Sequence, residues 1–276
     1  LIIRSRFKKL EYKHNIEKEK EKIQVTREME KKQLENELKL KADFTAMLVH
    51  DLRSPLTAIM GYADLLSSSP GEVNIQKIGE TVSRSSDRML NLINDMLDIS
   101  KFEAGKMKVT KRRVYLVTLV RDIAGIMQPL FDKKHLHVKS EFPEIPRIFI
   151  DPEKIGQVID NLLSNAIKFS PANGVITLRV REVNIDGKPY QEFSVTDVGP
   201  GVPKEKRANL FDKYAQFQSA PETKGTGLGL AVSRLIIEAH DGDIGYEPED
   251  GVCHTFYFRV PLATSQKSRV IEFNPD

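Results

Sequence analysis

The 276-residue chain has a single cysteine, Cys253, so no internal disulfide framework can form, and a reducing compartment is the default expectation. It also lacks any uninterrupted apolar stretch near the roughly 18 residues that a membrane span requires, and no signal-peptide pattern opens it. The expected location is the cytoplasm; the sequence starts Leu1-Ile2-Ile3-Arg4, so any membrane attachment would come through a segment upstream of it. Charge of one sign is lacking too: 42 Lys and Arg stand against 39 Asp and Glu, and a formal net +3 gives no reason to expect a nucleic-acid partner. What is present, 40% hydrophobic and 29% charged residues, suffices for about two domains with cores of their own.

Pro and Gly are missing from residues 4–41, which are dense in Lys and Glu and carry sparse apolar residues at Phe7, Leu10, Ile16, Ile23, Leu34 and Leu38. This predicts a long helix. Its seam is irregular, with a seven-residue step from Ile16 to Ile23 and an eleven-residue step to Leu34, as in a weak coiled coil; a solvated charged helix is the alternative. Residues 43–66 continue the helical pattern up to the breaker Ser67-Ser68-Ser69-Pro70-Gly71. Beyond it, Ile78, Val82, Ser85, Met89, Leu92, Met96 and Ile99 form a heptad seam with one polar position. Two such amphipathic helices bury little alone, and pairing two hairpins into a four-helix bundle would close them, which predicts a homodimer.

After Gly105, β-branched runs alternate with helical patterns. Strands are expected at 136–142, 147–150, 175–183, 190–196 and 255–260, helices at 116–131, 152–169 and 228–240, and a hairpin turn at Asp186-Gly187. The fold class is thus α + α/β. Residues 1–42 read as a coiled-coil helix, 43–105 as a helical hairpin, 106–262 as an α/β domain and 263–276 as a polar tail.

Placed at about 100° per residue, Phe44, Leu48, Leu52, Leu56 and Ile59 share one stripe, and His50 lies roughly opposite it, one turn from Ser54. The imidazole is therefore expected at the surface, as a nucleophile requires and as an incidental histidine would also be. Asp51 could hold one ring nitrogen and activate the other, or be one more surface acid. Pro55 removes a backbone donor and predicts a bend.

A second group, Gln157, Asn161, Asn165 and Lys168, is spaced four, four and three along one helix face. Amide oxygens can ligate Mg²⁺ and an ammonium can pair with phosphate, although a structural polar face fits the spacing as well. Asp197-Val198-Gly199-Pro200-Gly201 ends a strand, reading as a tight turn or as a carboxylate beside a close ligand approach. Gly225-Thr226-Gly227-Leu228-Gly229-Leu230 leads into a helix whose N-terminus favours phosphate. Neither a Rossmann fingerprint nor a P-loop fits it.

The string His50-Asp51-Leu52-Arg53-Ser54-Pro55-Leu56 resembles the phosphoacceptor box of the sensor histidine kinases, with Asp51 and Ser54 where that family commonly has Glu and Thr. In order, Asn161 to Lys168, Asp197 to Gly201, Phe211-Asp212-Lys213-Tyr214 and Gly225 to Gly229 resemble the N, G1, F and G2 boxes of that family's Bergerat-type ATP-binding domain. The resemblance covers residues 50–260. It implies ATP-dependent phosphorylation of His50 with Asp51 as base, transfer to a receiver domain of a separate response regulator, and a phosphatase reaction positioned by Asp51 and Ser54. It further implies Mg²⁺ on Asn165 with Asn161, Lys168 at phosphate, and Asp197 at the adenine amino group. Gly199 and Gly201 fall in the loop after it, and Gly225, Thr226, Gly227, Leu228 and Gly229 at the triphosphate. Phe211 and Lys213 fall in a mobile lid over 202–224, and an upstream sensory domain supplies the input. Gln157 stands where many relatives carry Glu, so no base role is carried to it. His14, His135, His137, His240 and His254 read as structural or surface groups, and Cys253 as core packing. The rival readings are another Bergerat ATPase, whose output is hydrolysis or serine phosphorylation, and a dimeric scaffold that only binds nucleotide; the His50 box and the intact Asn165, Asp197 and glycines argue against them.

Overall fold

The computed structural model describes residues 2–68, 74–212, 227–249 and 253–262, with the side chains of 2–17, 21, 37, 40, 43 and 44 outside the description. The polar tail, most of the predicted lid, the seam residues Phe7, Leu10 and Ile16 and the stripe residue Phe44 therefore lie outside the described residues or side chains. Two compact units result, Leu1–Val82 and Ser83–Asp276.

The two predicted N-terminal helical stretches join without interruption into α1 (Ile2–Ser68). Lys, Glu and Gln lose little rotamer freedom in a helix, and pairs such as Lys31–Glu35 at 3.8 Å add a little support. Pro55 sits inside α1 without ending it, because one lost donor costs less than a new pair of helix ends. Of the predicted seam, Ile23, Leu34 and Leu38 are all about half exposed, as an unpartnered coiled-coil face or a solvated charged helix would be. Of the predicted packing stripe, Leu48 is buried but Leu56 is exposed.

Helix α2 (Ile75–Glu103) starts where the Asn74 side chain accepts the Lys77 N–H at 3.0 Å. It ends at Gly105, whose positive φ of 63° lets Lys106 N–H reach back to the Lys101 carbonyl at 2.7 Å. Within the heptad seam Ile78, Leu92 and Ile99 are buried, whereas Met96 is 40% exposed. The division between the units falls within α2.

The second unit is a two-layer α/β arrangement. After β1 (Arg112–Val114) come α3 (Leu116–Ile126) and α4 (Gln128–Lys133), where one helix over 116–131 was predicted. Pro129 explains the break, since it has no N–H to continue the α3 ladder, and Met127 serves as C-cap of one helix and N-cap of the next. Then follow β2 (His137–Glu141), β3 (Ile148–Ile150), α5 (Pro152–Phe169), β4 (Val175–Ile185), β5 (Lys188–Asp197), α6 (Lys204–Arg207), α7 (Gly229–Ala239), β6 (Asp243–Glu249) and β7 (Cys253–Pro261). The main sheet runs β2-β4-β5-β7-β6, parallel only between β2 and β4, and β1 pairs with β3 in a separate ribbon. The β4–β5 hairpin turns at Asp186-Gly187 with φ of 50° and 77°, the two positive values of a type I′ turn.

Helices α3, α5 and α7 pack together, α5 against β5 and α7 against β6. The core is legible in α5: Ile155, Val158, Ile159, Leu162, Leu163 and Ala166 are buried at helical spacing. They face a sheet surface of Ile176, Leu178, Val180, Phe193, Val195, Phe258 and Val260, all buried. On the opposite sheet face Glu192, 2% exposed, accepts from Arg181 and Arg259 at 2.7 Å each, its cross-strand neighbours. Helix α5 is anchored by Asp151, whose side chain caps Glu153 and Lys154 N–H and also accepts Thr110 N–H at 2.8 Å. Buried His240 accepts the Asp151 N–H at Nε2, a structural role. Cys253 departs from the expected core position: it is partly exposed, and its thiol donates to Glu249 across the edge of the sheet.

Candidate functional site

In the first unit the His50 side chain is 63% exposed, and its Nδ1 lies 3.1 Å from Oδ1 of Asp51, whose own side chain is 7% exposed. An exposed ring is thereby oriented by a buried carboxylate. When Nδ1 carries the proton toward Asp51, the Nε2 lone pair faces outward. Ser54 is exposed one turn further along α1.

In the second unit the polar face of α5 meets the start of α7. Asn161 Nδ2 donates to buried Ser233 at 2.9 Å, and Asn165 Nδ2 approaches Asn161 Oδ1 at 3.5 Å. A Cβ added to Gly229 would lie 2.4 Å from Asn161 Oδ1, so the glycine is what allows helix α7 to begin against this amide. Gly227 precedes it at φ +70°, and Leu228 turns its side chain into the core while its carbonyl accepts Val232 N–H. Lys168 lies in the last turn of α5 with Nζ 4.7 Å from the Phe169 ring centre; desolvation, and then the charge of Arg88, push its ammonium below the usual lysine range. A partly desolvated cation at the end of this polar face is suited to phosphate. Gln157 departs from this group, donating instead to Asp98 of α2 at 3.2 Å.

At the end of β5, Asp197 is 5% exposed and burial raises its carboxyl above the ordinary range; the Gly199 N–H, 2.8 Å from Oδ1, works against that shift. Gly199 is close-packed, since a Cβ there would come within 2.8 Å of the Phe169 carbonyl, and Gly201 takes φ +66°. Phe211 lies edge-on to Phe256, with ring centres 6.4 Å apart. Lys213, Gly225 and Thr226 lie outside the described residues. Sequence reasoning missed Ser233, Tyr246 and His254, all of which bond directly to this loop or to Asn161.

An exposed, carboxylate-oriented histidine in one unit and, in the other, a two-layer sheet domain with amides against a glycine-bearing helix start and a buried carboxylate at a strand end are the features of a phosphoacceptor and of a nucleotide-binding ATPase. The comparisons agree. Residues 40–105 match the His Kinase A (phospho-acceptor) domain, and residues 150–264 match the histidine kinase-, DNA gyrase B- and HSP90-like ATPase family. The chain belongs to the sensor histidine kinases of two-component systems. It is 35% identical over 244 residues to the non-motile and phage-resistance protein of Caulobacter vibrioides, covering 85% of this chain and 29% of that protein. It is 34% identical over 238 residues to the adaptive-response sensory kinase SasA of Microcystis aeruginosa, covering 83% of this chain and 61% of SasA. The chain thus spans less than two thirds of the curated relatives it matches. Full-length ShkA, solved in complex with AMPPNP, superposes with a TM-score of 0.60 at 30% identity over 81% of this chain and 46% of ShkA.

Proposed function

We propose that this chain transfers the γ-phosphoryl group of Mg·ATP to Nε2 of His50 and hands it on to an aspartate in the receiver domain of a separate response regulator. The observation that carries the reading is the contact between exposed His50 Nδ1 and buried Asp51. The Nε2 lone pair attacks the γ-phosphorus, an N–P bond forms as the bond to the β,γ-bridging oxygen breaks, ADP leaves with that electron pair, and the Nδ1 proton passes toward Asp51. Asp51 with Ser54 can also place a water against a phosphorylated receiver, which would give a phosphatase reaction.

For the nucleotide, Asp197 Oδ1 is committed to Gly199 N–H, so the adenine amino group falls to Oδ2. Lys168 and the described helix start at Gly227, Leu228 and Gly229 would meet the phosphates; the roles of Gly225, Thr226, Lys213 and Phe211 at the triphosphate and in a covering segment rest on the sequence resemblance. Asn165 spends its Nδ2 on Asn161, which leaves its Oδ1, a hard oxygen donor suited to Mg²⁺; Asn161 holds that amide in place. Mg²⁺, when bound, neutralises charge on the β- and γ-phosphate oxygens. Homodimerisation through α1 and α2 is supported by exposed apolar residues on both, Leu56 and Met60 on one, Leu90, Ile93 and Leu97 on the other. Among the described residues no helix is long and apolar enough to cross a membrane. A cytoplasmic site of action, with input arriving along α1 from an upstream sensory domain, completes the reading.

Incubation with γ-labelled ATP and Mg²⁺ tests it. Acid-labile, base-stable label is expected on the chain and none on His50→Gln; ATP turnover without such label would overturn the assignment.

A further inference from the structure

Strands β5 and β7 place His254 directly opposite Asp197, with Tyr246 on the neighbouring β6. The His254 ring, 8% exposed, lies beneath the loop that follows Asp197. Its Nε2 is 2.8 Å from the Gly199 carbonyl oxygen and its Nδ1 is 3.0 Å from the Tyr246 hydroxyl, which is itself 2.9 Å from the Val202 N–H. The chemistry of the two backbone ends orders this chain. A carbonyl only accepts, so Nε2 carries the hydrogen; an N–H only donates, so the Tyr246 oxygen accepts from Val202. With Nε2 as the donor, Nδ1 can take the Tyr246 O–H, and every donor in the series then has an acceptor.

Packing restricts the loop further. A Cβ on Gly201 would fall 2.1 Å from His254 Cε1, so the ring fills the space beneath that glycine. Arg207 Nε donates to the Val202 carbonyl at 2.9 Å, so both sides of Val202 are held. The Tyr246 ring packs on Phe256 with centres 4.9 Å apart and lies 17° from parallel to His254. Gly199 joins the two halves: its carbonyl is held by His254 while its N–H holds Asp197 Oδ1.

We propose that Tyr246 and His254 are positioning residues for nucleotide recognition: together they fix residues 199–202 so that the Asp197 carboxylate stays aimed at the exocyclic amino group of adenine. This rests on the reading of Asp197 as the residue that meets the base. The selectivity of the site is then governed by two side chains on strands β6 and β7, neither of which is asked to touch the nucleotide.

The experiment compares Mg·ADP with the Mg²⁺ complex of purine riboside 5′-diphosphate, which lacks the amino group, by calorimetry on the full chain. Asp197→Asn is the reference: the preference for ADP should collapse toward unity, and an unchanged preference would refute the Asp197 reading and the positioning role with it. Tyr246→Phe keeps its ring against Phe256 but strands Val202 N–H and His254 Nδ1, and should cut ADP affinity about 5- to 20-fold while leaving the analogue within about twofold. His254→Gln, which can still present an N–H toward Gly199, should retain more of the preference than His254→Val. If Asp197→Asn collapses the preference while Tyr246→Phe and His254→Val keep it at the wild-type ratio, or weaken both nucleotides equally, the pair is structural only and the proposal fails.

Discussion

Lys154 of α5 places its ammonium 2.8 Å from both carboxylate oxygens of Asp98 on α2, and Gln157, one turn along from Lys154, donates to the same carboxylate. Both charged side chains are largely buried, 26% and 9% exposed. Removing one partner leaves the other desolvated and uncompensated, which costs more than the intact pair contributes. Asp98→Asn should therefore destabilise the second unit by about 1–3 kcal/mol, read as a lower denaturant midpoint at neutral pH. A wild-type midpoint would show the pair to be energetically idle.

One turn earlier on α2, Asp95 is raised from its ordinary 3.8 to about 6, first by burial and then by the charge of Asp98, with Lys154 offsetting part of the shift. Between about pH 4 and 6 the folded chain holds this proton and the unfolded chain does not, so Asp95 adds stability as pH falls through that window. Above pH 6 both states have lost the proton and the strain of a buried, repelled carboxylate remains. Asp95→Asn should raise stability above pH 6 by on the order of 1–3 kcal/mol and flatten the slope between pH 4 and 6. Urea titrations at several pH values check both; a variant that is destabilised at pH 7.5 would contradict the assignment.

Asp51→Asn keeps a side chain of the same shape beside His50 Nδ1 but cannot take its proton. Labelling of His50 should slow about 100-fold while Mg·ADP affinity stays at wild type, because the contact lies outside the unit proposed to hold the nucleotide. Rapid-quench single-turnover labelling measures this. An unchanged rate would leave Asp51 an orienting neighbour at most.

How much of this could be read from sequence divides along range. Helix α5 was legible end to end because Asp151-Pro152 starts it, an apolar stripe runs through it and its amides share one face; the Asp186-Gly187 turn was legible because only its own two residues decide it. Strand β6 was not, since Gly245 and Pro248 interrupt its pattern and only pairing with β7 makes it a strand. The same holds for the site. Asn161, Asn165, Asp197 and Gly229 belong to local motifs, but the bonds from Ser233, Tyr246 and His254 depend on register between elements far apart in the chain. Gln157 shares the face of Asn161 by periodicity, yet Asp98, 59 positions earlier, draws it away. The break at Met127 was in plain view at Pro129 and outweighed by the apolar pattern around it.

Gly229→Ala adds a methyl group where Asn161 Oδ1 lies 2.4 Å away. Alanine is the better helix former, so α7 itself loses nothing, and any defect must come from displacing the amide. Mg·ADP affinity should fall about tenfold or more with the melting temperature nearly unchanged, and adding Asn161→Ala should cost little beyond the single variant. Full additivity of the two substitutions in a double-mutant cycle would show that the glycine and the amide act independently.

The raised carboxyl of Asp197 carries the last prediction. To accept from an adenine amino group it must be ionised, and burial makes ionisation harder in the free site, so protonation competes with the base. Mg·ADP affinity should begin to weaken with falling pH already above the range where an ordinary aspartate titrates. The nucleotide phosphates also protonate at such pH values, but purine riboside 5′-diphosphate shares them, so the ratio of the two affinities isolates the carboxylate. That ratio should shrink with falling pH in the wild type and stay flat and near unity in Asp197→Asn. A wild-type ratio independent of pH would mean that Asp197 stays ionised throughout, and that desolvation by the surrounding sheet is offset by the Gly199 N–H and the charge of Lys134.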